Sequence, residues 1–172
     1  MAWAKNATLN GAYFDAREML VIDVRFPTAL QLMLSLALAR SARAEPVSST
    51  RLAEGVGSHP TFVRRLLVPL IETGLVTSSM GRTGGLALGR SSEEITLCDI
   101  YDAVMGEKEL WPPRSDFPHQ CLVSSNFSAF FGNLVAEVDT QVRAALARQT
   151  LAESFALLGK LDRERVSAET GA

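Results

Sequence analysis

Only two of the 172 residues are cysteines, Cys98 and Cys121. They cannot form a disulfide framework, so the core must come from the 47% apolar content, which is ample for a chain of this length. The two histidines, His59 and His119, do not stand at ligand spacing from the cysteines, and no metal site is expected. Long apolar runs are also missing. Leu30 to Ala39 is the longest, and Gln31 and Ser35 interrupt it well short of a bilayer span. The start of the sequence lacks a basic, apolar and cleavable pattern, so a cytoplasmic location without a membrane partner is expected. Paired carboxylates, a nucleophile with its base, and a phosphate loop leading into a helix are absent at any convincing spacing, which argues against an enzyme.

Net charge is low, at -2, but it is unevenly placed. Between Val47 and Arg90, Arg51, Arg64, Arg65, Arg82 and Arg90 face only Glu54 and Glu72. Between Ser91 and Pro118, seven carboxylates face only Lys108 and Arg114. The first piece suits a polyanion, and the second should face away from one.

Residues 1–18 show neither helical nor strand period and are expected to be a mobile N-terminal extension. From Pro27 to Arg43, Leu30, Met33, Leu34, Ala37 and Leu38 predict a buried first helix. Ser48 can cap a short helix through Glu54, and Gly55 to Gly57 supply a turn. Ser58 is then expected to cap a helix reaching Thr73. In it Phe62, Val63, Leu66, Leu67 and Leu70 form an inward stripe, and Thr61, Arg64 and Arg65 fall on the opposite side. Pro69 lacks an N–H and should bend or stop that helix. Gly74 to Val76 lead into a strand, Met80 to Gly85 make a loop, and Leu86 to Leu88 return as a second strand.

Two helices across a glycine turn, followed by a glycine-rich hairpin, predict a winged helix-turn-helix over residues 19–106. The partner of such a module is double-stranded DNA. Arg64 and Arg65 are the leading contacts, because the exposed face of a capped helix is the part that enters the major groove. Arg82 at the hairpin tip can approach the backbone or minor groove, its alternative being an idle flexible tip. Ser49, Thr50, Ser58 and His59 sit near helix starts, where they can meet phosphate oxygens or serve only as caps.

Thr96 and Asp99 form a capping-box pair before a helix that carries Ile100, Ala103 and Val104 inward and stops at Gly106. Residues 107–125 make a proline-rich connection and candidate sensing loop, in which Leu110, Trp111 and Phe117 should dock on something. Cys121 is the one candidate for redox sensing, with His119 and a helix start beside it to favour thiolate; otherwise it is a small buried apolar residue. Ser124 to Asn126 offer caps for helices over residues 126–160, and Thr150 with Glu153 forms another capping box. A second, short helix should end at Gly159, leaving a charged flexible tail over 161–172.

The chain resembles the Rrf-type (BadM/IscR) winged-helix transcriptional regulators of bacteria over roughly Met19 to Ala156. The resemblance rests on Leu52-Ala53-Glu54, Val56 to Pro60 followed by Val63-Arg64-Arg65, Gly74-Leu75-Val76, Gly81 with Gly84-Gly85, and Ile95-Thr96-Leu97 before Asp99-Ile100. It implies a mainly α fold with a small β-hairpin wing and a long C-terminal dimerisation helix. In that helix Phe127, Phe131, Leu134, Val138, Val142 and Leu146 would pair two copies. The implied function is a homodimeric regulator, usually a repressor, that binds a palindromic operator and is released by a small-molecule effector or redox signal. The family's iron-sulfur branch has three clustered cysteines where this chain has only Cys121, so no cluster and no other cofactor is expected. A winged-helix protein-interaction module without DNA binding is the alternative, favoured by the low net charge and Pro69.

Overall fold

A computed structural model describes residues 23–81, 84–106, 111 and 121–170. The elements run α1 (Arg25–Ser41), α2 (Ser49–Gly55), α3 (Pro60–Glu72), β1 (Val76–Ser79), β2 (Gly85–Leu88), α4 (Leu97–Met105), α5 (Leu122–Leu146) and α6 (Leu151–Thr170). The expected mobile extension 1–18 lies outside the described residues.

One core is built from α1, α2, α3, the hairpin and α4, closed by Leu151 at the start of α6. The face that α1 gives to it differs from the expected one. Leu32 and Leu36 are fully buried, whereas Leu38 is 57% exposed. Nearly every position from Ala29 to Ala39 is apolar, so period alone could not select the buried side. In α3 the pattern was less ambiguous, and Val63, Leu66, Leu67 and Leu70 are all buried with Phe62 packed beside them.

The wing is an antiparallel pair with Val76 opposite Leu88 and Ser79 opposite Gly85. A third piece of backbone pins it to the domain, since Val47 and Leu86 exchange N–H to carbonyl bonds of 2.9 and 2.8 Å. Arg40 on α1 donates to the Leu88 and Arg90 carbonyls and pairs with Glu45, which accepts from the Leu88 N–H. At Gly89 a Cβ would collide with the Gly74 carbonyl oxygen, so the close approach of the strand ends requires glycine.

The Thr96 and Asp99 capping box is present, with the Thr96 N–H donating at 2.8 Å to Asp99 and the Asp99 N–H donating at 3.1 Å to the Thr96 hydroxyl. Thr96→Ala should cost about 1 kcal/mol. In a chain of this size that lowers the melting midpoint by about 2 to 4 °C in a thermal scan; no change would mean that the cap is redundant with the Thr96–Thr150 bridge.

Two expectations about the C-terminal part are corrected. Cys121, not Ser124 to Asn126, is the N-cap of α5, because its sulfur accepts from the Ser124 N–H while Ser124 Oγ accepts from the Cys121 N–H. After the Thr150 and Glu153 box, α6 does not end near Gly159 but continues to Thr170. The charges that suggested a frayed tail are spaced to pair along a helix, as Lys160 with Glu164 and Arg165 with both Asp162 and Glu169.

Candidate nucleic-acid interface

Helix α2 starts on Ser48, whose side chain accepts from the Arg51 N–H at 3.2 Å, and its apolar side, Leu52 and Ala53, is buried. The turn that follows needs a left-handed residue, and Gly57 provides it at φ +62. Ser58 was expected to cap α3, but its N–H is taken by the Ala53 carbonyl and the cap is His59. His59 Nδ1 accepts from the Thr61 N–H at 3.3 Å, which occupies one of the donors a phosphate would otherwise meet. Pro60 occupies the first position of the helix, where a missing N–H costs nothing.

Pro69 does not stop α3, which continues through Glu72. The Thr73 N–H still bonds to the Pro69 carbonyl at 3.0 Å and the Thr73 hydroxyl to the same oxygen at 2.8 Å, so the last turn is closed on the far side of the proline. Leu70, fully buried beside it, holds that turn to the core.

The outward face is set by the geometry of the helix. Thr61, Arg64 and Arg65 are exposed, and among the described residues neither guanidinium has a hydrogen bond or an ion pair. Arg64 and Ser49 line one groove of about 400 Å³ that runs between α3 and the wing, with Ser78, Ser79, Gly81 and Gly84 on its other wall. Ser49 is half-buried and Thr50 exposed at the start of α2. The structure thus brings Ser49 and Arg64 together with the wing along one groove, with Arg65 exposed on the same helix and Thr50, His59 and Thr61 at the helix starts. Ser58 is half-buried in the turn. Arg82 lies outside the described residues. Two exposed aliphatic residues on the same helix, Val68 and Ile71, were not singled out in the sequence. Their spacing of three and four from Arg64 and from each other was the available signal.

Helix α5 is joined to this head through Arg143. Its Nε donates to Asp139 at 2.5 Å, it pairs with Asp102 on α4, and its guanidinium lies 5.3 Å from the centre of the Tyr101 ring. The Tyr101 hydroxyl donates to Asp139 at 3.3 Å, and burial, followed by that carboxylate, pushes the phenol above its ordinary pKa. The predicted dimer stripe therefore divides. Val142 and Leu146 pack on the core of their own subunit. Towards the helix start, Leu134 is exposed, Val138 is half-buried, and the half-buried rings of Phe127 and Phe131 stack at 5.4 Å. Leu122, Val123 and Phe130 add exposed apolar surface there.

Trp111, expected to dock, is exposed, and Leu110, Phe117 and His119 lie outside the described residues. Cys121 is exposed rather than buried, and bonds from the Ser124 side chain, then from backbone N–H groups, hold its thiol below the ordinary range. More thiolate at a given pH means faster alkylation. At neutral pH iodoacetamide should label Cys121 before the half-buried Cys98, and Ser124→Ala should move the labelling midpoint of Cys121 to higher pH. An unchanged midpoint would rule out Ser124 as the cause.

A helix pair across a glycine turn, an outward pair of unpartnered arginines and a hairpin anchored beside them define a winged helix-turn-helix transcriptional regulator. Residues 22–156 match the Rrf2 family, described as iron-dependent transcriptional regulators, and the chain belongs to that family. It is 23% identical over 125 residues to YffB of Lactococcus lactis, provisionally named an HTH-type transcriptional regulator, covering 67% of this chain and 80% of that one. A provisionally assigned transcriptional regulator from Lactobacillus plantarum superposes with a TM-score of 0.66 at 25% identity, covering 85% of this chain and 99% of the other. CymR, the global cysteine regulator of B. subtilis, shares the fold with a TM-score of 0.57 at 23% identity, covering 81% and 98%.

Iron in the family description raises the question of ligands. A cluster held by thiolates alone takes four cysteines, and a Rieske-type centre takes two cysteines and two histidines. This chain has two cysteines, on different helices, and among the described residues no three His, Cys, Asp or Glu side chains converge as a metal site. The described residues therefore offer no converging donor set for such a cluster. Among the described residues no helix is long and apolar enough to cross a membrane.

Proposed function

We propose that this regulator reads a palindromic operator as a homodimer, acting as a repressor, with Arg64 and Arg65 entering the major groove and the wing lying along the adjacent backbone. The observation that carries the reading is the outward position of both arginines, unpartnered among the described residues, on the second helix of a helix-turn-helix, where a charged fork can meet guanine N7 and O6. Two heads are needed because a single winged helix spans few base pairs. The apolar start of α5 supplies a self-complementary face to join them. The division of labour follows, with residues 19–106 as the reading head and, within 126–160, the part before Val142 as the dimer arm. No cofactor is assigned, and protein purified anaerobically should show no iron-sulfur absorption.

Release follows when an effector or oxidant favours one spacing of the two heads over another, received along the 107–125 connection that contains Cys121. Selection of bound fragments from random duplex DNA tests the reading. An inverted repeat is expected, with affinity falling steeply as salt rises because phosphates release counterions. Absent or salt-independent binding would turn the reading to the protein-interaction module.

A further inference from the structure

At 100° per residue, the buried side of α3 is centred near Leu70, and the direction opposite to it passes between Val68 and Thr61. Val68 is therefore not spill-over from the core stripe. It stands in the middle of the outward face, 53% exposed, turned about 40° from Arg64 and about 60° from Arg65 and displaced along the axis from Arg64 by about 6 Å. Ile71, also exposed, lies one turn further on, and both residues line the groove shared by Arg64 and the wing. A solvated recognition face would gain nothing from a branched aliphatic side chain at its centre, where it interrupts the basic surface and lowers helix propensity. The chemistry that matches an isopropyl group on a surface otherwise built for a polyanion is the single apolar feature of the major groove, the 5-methyl group of thymine.

We propose that Val68 is a specificity residue that contacts a thymine methyl in each half-site, next to the base pair read by Arg64 or Arg65. The inference rests on the duplex-reading function proposed above and adds to it a base and a position. Val68 is only about 6 Å along α3 from Arg64, which keeps the thymine within about two base-pair steps of the guanine. The occupant is fixed by continuity, since Val68 shares its face with the two arginines and among the described residues no acidic side chain but Glu72 stands on that face.

The test uses the selected operator with each thymine replaced in turn by deoxyuridine, which removes the methyl and leaves every hydrogen-bonding atom. Full-length protein should lose about threefold to fivefold in affinity at one thymine per half-site, the weight of one buried methyl group. Val68→Ala should bind the unmodified operator more weakly by a similar factor and no longer distinguish the two bases at that position. Because Val68 supports no core contact, its thermal midpoint should stay at or above that of the parent, which separates lost recognition from lost folding. Salt-dependent binding of the operator with no methyl effect anywhere, or with the same effect in Val68→Ala, would overturn this assignment and leave the function standing. If full-length protein binds no duplex, both fall together.

Discussion

Replacing Arg64 and Arg65 together with alanine is expected to reduce operator affinity by two orders of magnitude or more without lowering the thermal midpoint. Each arginine that makes a bidentate pair with guanine is worth about 1 to 3 kcal/mol, or about fivefold to 150-fold. Both side chains are exposed and neither is paired among the described residues, so no internal interaction is lost with them. The single variants need not add, because adjacent residues on one face share their surroundings. Titration at several salt concentrations separates their roles. A phosphate contact lowers the salt slope by about one when removed and weakens all sequences alike, whereas a base contact leaves the slope and relaxes preference at one position. Arg64→Lys and Arg65→Lys sharpen the distinction, since lysine keeps the charge and loses the planar fork. Unchanged affinity in the double alanine variant would remove α3 from the interface.

Where one physical effect dominated, the residues declared the structure. In α3 the polar and apolar positions alternate at a single helical period, so both the buried stripe and the outward arginines were visible before any coordinates. The Thr96 and Thr150 boxes were equally plain, because a hydroxyl three residues before a carboxylate satisfies two backbone donors at once. Competing effects hid the rest. In α1 nearly uniform apolarity left the buried side open, and packing against α4 and α6 decided it. His59 and Cys121 as caps are poorer acceptors than serine, and a serine stood beside His59 and another three residues after Cys121, so propensity pointed away from both. The continuation of α6 depended on charge pairs that are individually weak and act together only once the helix has begun.

The site was legible to the same degree. Single residues were identifiable, but their grouping was not, because the groove that joins Ser49 and Arg64 to the wing depends on the Val47–Leu86 bridge, and nothing in the local pattern announces that pairing. The Arg143 cluster, which draws Asp102, Asp139 and Tyr101 from two helices, likewise has no sequence signature. It fixes the C-terminal half of α5 to its own head. The dimer stripe is thereby shortened to the part before Val142.

That shortening places the second large effect at Phe130, which the sequence stripe did not include. Its ring is 64% exposed and lies three or four residues from Phe127 and Leu134 on the part of α5 before Val142. In the proposed dimer, Phe130→Asp puts a charge on the face that would meet its own copy, so in a twofold interface the two charges oppose each other across the axis and lose their water. Among the described residues Phe130 is not part of the core, so the substitution leaves that core intact. The variant should therefore keep its helical content and sediment as a monomer at concentrations where the parent is a dimer. Operator affinity should fall by about two to four orders of magnitude, because the second head no longer binds at the high effective concentration that the first provides. A half-site duplex should bind the variant and the parent monomer alike, since Arg64 and Arg65 are untouched. A dimer that survives this change would have to be built on another surface, such as the exposed leucines of α6 at Leu157, Leu158 and Leu161, and the spacing of the heads would then be set by that helix instead.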